Sequence, residues 1–580
     1  MEKKKINKSL INIIIILAVA LFLSIPLFYS KLNVYMDDGI QHIARAFGTS
    51  KSIKDNWIAP NIISSFANGF GYSWNLFYGP LSTYGVILFA LVVKNYIVAY
   101  KCFAGLCIFL SGLFMFKFVK TLTKIDNIGV LAAVLYMSFP YHLTDLYTRN
   151  ALGEFVSFVF IPIVFLGVYN IFYNESGNKY YLAIGVIGLI LTHNLSTIIV
   201  VFFAVIYAIT KFERITEKEI QKAIIINIVF IILITSFYWL PLLETKIKAD
   251  YQVYEDGMMA TPESVSSHGL KFMQLFLTKN DGSFAFELGL NVLIMLVFTF
   301  VSLKIIYKPL KEHYIFFLIA GIVSMWMATK YFPWKYLPKE LSYIQFPWRM
   351  MMMTSFFLSI VCAINMYLII IKFNVKDVVV ITIISMFCTF LIFDTFIMGD
   401  LGISDIENIV LGRFSGTEHE TVAGTGKGEY LPTAVYKDKF YLATREDTTF
   451  TLEGKAIIEN ENKEGSSYSA MIQTFDADYT TFELPFIYYP GYVIRCDGII
   501  VPNYETENGF LGFVMGKNDK ALVEVKYEGT SLMKKSIVIS IISLITFIII
   551  NVKEFKILKT AKKQGIIEKV ENKNMEEGNG

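Results

Sequence analysis

Apolar runs of roughly 16 to 23 residues, each long enough to cross a bilayer as a helix, recur from Leu10 to about residue 397 and return once near 535–552. A water-soluble fold has nowhere to bury so many. With 54% hydrophobic, 16% aromatic and only 17% charged residues, the chain has too little charge to solvate a large soluble surface. The fold class is therefore an α-helical polytopic membrane protein, with the lipid bilayer as its first partner. A net charge of +3, with the lysines gathered in loops between apolar runs, gives no basic surface that would track a nucleic acid.

Where the basic residues fall sets the orientation. Lys3, Lys4, Lys5 and Lys8 precede the run from Leu10 to Tyr29, which is longer than a signal-peptide core and lacks a small-residue cleavage site, so it reads as a retained anchor with a cytoplasmic N-terminus. The run 81–93 is short for a span and is expected to be re-entrant or interfacial. With that choice, spans at 96–119, 128–140, 152–173, 180–192, 195–210, 223–243, 286–304, 313–329, 349–371 and 376–397 put the basic loops 120–124, 211–222, 304–313 and 372–376 on the cytoplasmic side. The total, counting the first and last runs, is about 12 spans plus the one short segment.

The domains follow. Residues 1–397 form the multi-span part, with a first external loop at 31–80. Residues 398–533 change character: TFTLEGKAIIE, TTFELPFIYYPGYVI and ALVEVKYEG alternate apolar and polar residues between turn formers, which predicts an extracytoplasmic β-rich domain, a small sandwich. A final helix at 534–552 leads to the Lys-rich tail 553–580, which places the C-terminus in the cytoplasm of a plasma-membrane protein.

On this topology, polar residues from distant parts of the chain reach the outer ends of helices. Asp37 and Asp38, just after the first span, open an amphipathic helix whose polar side carries His42 and Arg45. One aspartate suffices to cap a helix; two close carboxylates can divide labour, one accepting a proton from a hydroxyl while the other orients it or holds a cation. Asp37 and Asp38 are thus the candidate catalytic residues. Arg149 and Glu154 in TRNALGEF, His193 and Asn194 in LTHNLS, Trp348 and Arg349 in QFPWRM, and Tyr78 in the Gly- and aromatic-rich stretch 69–84 are candidate substrate contacts. Arg149, His193 and Arg349 would offer donors and positive charge to a phosphate group. The six His show no metal-binding spacing, so a zinc centre is not expected. Four of the five Cys lie in apolar runs, which leaves Cys496 alone in the β-rich domain.

An anchor followed at once by an external acidic pair, many spans and an external β-rich domain resembles the GT-C class of membrane glycosyltransferases. More closely, DDGIQHIAR, GYSWNLFYGPLSTY, TRNALGEFVSFVFIPIVFLG, LTHNLS and QFPWRM resemble bacterial membrane proteins labelled pyruvoyl-tetrahydropterin-synthase-related, while EYLPTAV and LPFIYYPGYVIRCDG are similar to YfhO-like proteins. The resemblance implies transfer of a sugar from a polyprenyl-phosphate donor to a cell-envelope glycopolymer such as lipoteichoic acid, or to a lipid. Asp37 or Asp38 would be the base, or the partner of a divalent cation such as Mg or Mn. It does not imply the pterin chemistry, whose zinc-binding histidines are missing. The alternatives are a carrier or flippase for lipid-linked saccharides and a non-catalytic assembly protein.

Overall fold

The structure, a computed structural model, describes residues 8–29, 38–55, 60–174, 177–255, 260–276, 286–373, 428–475 and 478–563. The run 376–397 and Asp37 lie outside the described residues. The helices are α1 (Lys8–Tyr29), α2 (Gly39–Asp55), α3 (Trp74–Phe77), α4 (Leu81–Val93), α5 (Tyr96–Thr123), α6 (Asp126–Met137), α7 (Pro140–Tyr147), α8 (Leu152–Phe172), α9 (Tyr181–Ile190), α10 (Asn194–Ile209), α11 (Lys218–Ile234), α12 (Ser236–Lys248), α13 (Pro262–Ser267), α14 (Leu290–Val297), α15 (Thr299–Ile305), α16 (Lys308–Met327), α17 (Met351–Phe373), α18 (Thr433–Lys437), α19 (Lys439–Thr444) and α20 (Ser531–Lys563). By length and composition six of these are candidate spans: α1, α5, α8, α16, α20, and α17 with the turn before it. The bent pair α11–α12 makes a seventh.

Side-chain contacts sort the loops into two ends. At one end Asn12 of α1 donates to Asp126 (3.2 Å), Lys211 pairs with Glu312 (3.1 Å), Arg214 donates to the Phe172 carbonyl (2.6 Å), and Asn178 donates to Asn551 of α20 (2.7 Å). These are the basic loops that the sequence puts together. At the other end gather the loop after α1, the α7–α8 turn, the α9–α10 turn, the chain after α12 and the residues leading into α17.

α4 begins and ends at this second end. Before it, the Gly79 carbonyl accepts from Arg45 of α2; beyond it, the Tyr96 ring packs edge-on against Phe47 of α2 at 5.3 Å. The 13-residue helix, about 20 Å long, therefore lies beside α2 rather than crossing, as its length predicts. α9 has only 10 residues, about 15 Å or half a hydrocarbon core, and packs along α8, with Leu182 beside Gly167 and Gly188 beside Phe160.

α11 and α12 meet at a 63° bend. Two serines of α20 supply what the broken backbone ladder lacks: Ser540 Oγ accepts from the Phe237 N–H at 3.0 Å and lies 2.9 Å from Ser236 Oγ, while the Ser536 carbonyl accepts from Ser236 Oγ at 3.2 Å. The expected span at 286–304 is two helices, α14 and α15, parted at Phe298.

Beyond residue 428 the chain forms a β-sandwich. One sheet has strand order β1-β4-β8-β7 and the other β2-β3-β9-β5-β6, all pairs antiparallel. The strands are β1 (Phe450–Glu453), β2 (Lys455–Glu464), β3 (Ser467–Phe475), β4 (Tyr479–Ile487), β5 (Tyr492–Cys496), β6 (Ile499–Val501), β7 (Asn503–Glu505), β8 (Phe510–Gly516) and β9 (Lys520–Tyr527). In β9 every second residue, Ala521, Val523, Val525 and Tyr527, is buried, as a strand with one face on a core requires. That core is not the sandwich's alone. Ile62, Ile63, Phe66, Phe70 and Tyr72 of the first loop belong to the same buried cluster as Phe482, Phe510 and Val523. The Phe70 carbonyl accepts from the Ile487 N–H at 2.9 Å, Tyr72 OH accepts from the Tyr430 N–H at 3.1 Å, and the Asp250 carbonyl accepts from the Thr433 N–H at 2.9 Å. First loop, post-α12 segment and sandwich therefore lie together at one end of the helical part.

Candidate functional site

The loop after α1 reaches its place through main-chain bonds. Asp38 stands at the head of α2, where its carbonyl accepts from the His42 N–H (3.1 Å), while its own N–H donates to the Arg149 carbonyl (3.2 Å). Asp38 as a residue is exposed.

Behind that contact lies a buried ionic cluster. Arg149 Nη1 donates to Asp145 Oδ1, one helical turn back, to Glu154 Oε2 (3.1 Å) and to Tyr141 OH (3.0 Å); Tyr141 OH in turn donates to Glu154 Oε1 at 2.5 Å. Arg349 approaches the same Glu154 oxygen from the head of α17 at 3.5 Å. The turn that allows this is centred on Asn150, held at φ +51°, a left-handed conformation that asparagine tolerates better than most residues. It lets Arg149 turn its carbonyl to Asp38 and its guanidinium to α7 and α8. Glu154, in the first turn of α8, also has the helix dipole in its favour.

Burial first, and then the charge of Glu154, push the Asp145 carboxyl well above the usual carboxylate range, against the pull of Arg149. Burial alone would lower Arg149, but Glu154 above all, with Tyr141 and Asp145, holds it raised and charged. Burial thus favours the neutral form of Asp145, and two guanidiniums, of Arg149 and Arg349, face the carboxylate of Glu154. Such a centre suits an added anion.

Next to the cluster stands a set of rings. The Tyr78 ring centroid is 5.6 Å from that of His42 and 5.9 Å from that of His193, and His42 is 6.5 Å from Trp74. Gly153, beside Glu154, leaves room for Tyr78, because a β-carbon there would collide with the Tyr78 hydroxyl. Arg45 is fully buried and holds the loop: its Nε donates to Asn75 Oδ1 (2.9 Å), and its Nη atoms donate to the Tyr78 and Gly79 carbonyls (2.8 and 3.3 Å). Burial, helped by Arg45 and His193, lowers His42 to about 3; burial, helped by Arg349, lowers His193 to about 4. Both imidazoles are neutral near pH 7. His193 Nδ1 accepts from the Ser196 N–H at the head of α10 (3.3 Å), which puts its proton on Nε2. His193 thus offers a neutral donor, not the positive charge expected from sequence.

The structure brings together Asp38, His42, Arg45, Tyr78, Arg149, Glu154, His193 and Arg349. It gives two candidates other surroundings. Asn194 is exposed and donates to Tyr238 OH at 2.9 Å, and Trp348 stacks on Phe346 with centroids 4.4 Å apart and packs on Phe286. Asp145, Tyr141, Trp74 and Tyr430 were not singled out from sequence. The Asp145–Arg149 spacing of one helical turn was the available signal for the first. Among the described residues no three His, Cys, Asp or Glu converge as metal ligands, and the Asp145 and Glu154 side chains are both engaged by Arg149.

The profile of a family described as 6-pyruvoyl-tetrahydropterin synthase related domain, membrane protein, matches residues 76–400. An uncharacterized protein of Lactococcus lactis subsp. cremoris is 27% identical over 340 residues, 56% of this chain; the chain spans about half, 54%, of that relative's length. Among solved structures, the arabinofuranosyltransferase AftD from Mycobacteria is similar with a TM-score of 0.42 and 14% identity, over 66% of this chain and 26% of that one. The apo oligosaccharyltransferase of Archaeoglobus fulgidus is similar with a TM-score of 0.36 and 11% identity, over 69% and 57% of the two chains.

Proposed function

This chain belongs to the 6-pyruvoyl-tetrahydropterin synthase related family of membrane proteins, and from its own site we propose that it is a membrane glycosyltransferase. It moves a sugar from a polyprenyl-phosphate donor to a cell-envelope polymer or lipid on the outer face of the plasma membrane. The observation that carries this reading is the convergence of Asp38 with Arg149, Glu154 and Arg349 at one end of the helical part. A base stands at the entrance and an anion site behind it. A lipid phosphate held at membrane depth can reach that site without leaving the bilayer.

In this reaction Asp38, or Asp37 beside it in sequence, takes the proton of an acceptor hydroxyl. The freed oxygen bonds to the anomeric carbon while the bond from that carbon to the phosphate oxygen breaks. The electron pair leaves with the lipid phosphate, whose growing charge Arg149 and Arg349 stabilise. The twelve-span count, with both termini cytoplasmic and the sandwich outside, belongs to the same reading.

Mass spectrometry of cell-envelope polymers and lipid-linked sugars tests it, in cells carrying wild type, Asp37→Asn, Asp38→Asn or no protein. The expected result is loss of one polymer-bound or lipid-bound sugar, with accumulation of its polyprenyl-phosphate donor, in the null and in at least one Asp variant. Full glycosylation in the null or in both Asp variants overturns it. The bent pair α11–α12 favours a second reading, a lipid-saccharide carrier, since carriers build sites on broken helices. A carrier would tolerate both Asp variants and fail when Ser540 is replaced.

A further inference from the structure

Among the buried nitrogens without a hydrogen-bond partner near the ionic cluster, which include Arg349 Nε and Trp348 Nε1, two stand together in the ring set: His42 Nδ1, on a residue 4% exposed, and Trp74 Nε1, on a residue 8% exposed. Their rings lie 6.5 Å apart, with Tyr78 5.6 Å from His42. A buried N–H or ring nitrogen left unpaired is costly, so two in one cluster call for an external partner.

The chemistry of that partner can be read from what surrounds them. Aromatic faces, one N–H donor and neutral imidazoles suit hydroxyls and C–H bonds rather than charge. Burial keeps His42 and His193 uncharged near neutral pH. Arg45, a charged group packed on these rings, spends its Nε and both Nη atoms on Asn75 and the Tyr78 and Gly79 carbonyls and turns its flat face to Trp74 and Tyr78, with centroid distances of 5.6 and 4.9 Å. It holds the walls and is poorly placed to receive a carboxylate. The anion site is next door, since His193 feels the charges of Arg349, Glu154 and Arg149 and lies 5.9 Å from Tyr78.

We propose that His42, Trp74, Tyr78 and His193 form the subsite for the sugar of the donor, and that it selects an uncharged hexopyranose over a uronic acid. The inference rests on the glycosyl-transfer reading above. A ring hydroxyl donates to His42 Nδ1, another accepts from Trp74 Nε1, and the apolar face of the pyranose lies on the aromatic rings, while the phosphate occupies the Arg149–Arg349 site.

The test is the affinity of the purified full-length protein, in detergent, for three lipids: undecaprenyl phosphate, undecaprenyl phosphoglucose and undecaprenyl phosphoglucuronate. Wild type is expected to bind the glucose lipid at least tenfold more tightly than the other two. Trp74→Phe, which keeps a ring and removes the N–H, and His42→Phe should bring that ratio toward one and leave undecaprenyl phosphate affinity within about twofold. His42→Asn, whose amide can stand in for Nδ1, should restore part of the ratio, which a merely misfolded variant would not. If wild type prefers the glucuronate lipid, binds all three alike, or keeps its preference in both Phe variants, the sugar subsite is wrong while the phosphate site stands. If wild type binds none of the lipids, the glycosyl-transfer reading fails and the subsite with it.

Discussion

Two buried arginine–carboxylate groups in this molecule differ in one respect. In the sandwich, Arg445 Nε donates to Glu483 Oε1 (3.1 Å), which also accepts from Tyr441 OH (2.6 Å), and Glu483 Oε2 accepts from Thr506 (2.7 Å) and Asn508 (3.1 Å). Both carboxylate oxygens are satisfied. In the helical part, Asp145 Oδ2 is buried with no partner, and two arginines share Glu154. A closed network locks a fold; an open one keeps capacity for something that arrives later.

The comparison can be broken most forcefully in the sandwich. Arg445→Met strands Glu483 and should cost about 3–5 kcal/mol, read as loss of the sandwich's protection in hydrogen exchange. Next, Arg349→Met should lower sugar transfer by roughly a hundredfold with far less loss of thermal stability, because Arg149 still neutralises Glu154. Equal destabilisation by the two would erase the distinction. Gly153→Ala should drive Tyr78 out of its place at a cost of about 1–3 kcal/mol, and raise the KM for donor more than it lowers kcat.

Acid should separate the two regions as well. His42 and His193 take up protons in the unfolded chain near pH 6.5 but in the folded protein only at about 3 and 4. Folded-state stability is then fully present above pH 6.5 and falls as pH drops toward 4, by up to ~1.4 kcal/mol per pH unit for each imidazole. The described sandwich contains no His, so hydrogen exchange at pH 5 against pH 7 should loosen the region around α2 and leave the β-strands unchanged. His42→Gln should flatten the response. The smallest effect belongs to Asp145→Asn: if Asp145 carries a proton, the amide is its near isostere, and melting temperature and transfer should scarcely move. A loss like that of Arg445→Met would show that Asp145 is ionised.

Much of this was legible in the sequence because hydropathy and loop charge are strong signals. Leu81–Val93 was too short to cross, and the structure returns both of its ends to one side; the alternation in ALVEVKYEG is the half-buried strand β9. What hydropathy does not report is where an apolar helix stops. No proline or glycine marks the break at Phe298, and the run 180–192 yields only ten helical residues. In the site, isolated motifs such as TRNALGE and QFPWRM pointed to Arg149, Glu154 and Arg349. Asp145 and Trp74 stayed hidden because each looks ordinary beside its neighbours and acquires meaning only from what fails to bond to it.

The first loop shares its core with strands made hundreds of residues later. During synthesis Phe66, Phe70 and Tyr72 emerge early, yet what covers them, Leu431, Tyr489 and Phe510 among others, arrives only after most of the helices have been made. Closing so long a loop is a late step in folding. A chain stopped before residue 428 would hold Asp38 and both arginines but leave those aromatic rings bare, an exposed patch of the kind that quality-control proteases seize. The acidic loop thus acquires its shape only in a chain made nearly to its end, and a half-made protein has no finished site with which to meet a lipid.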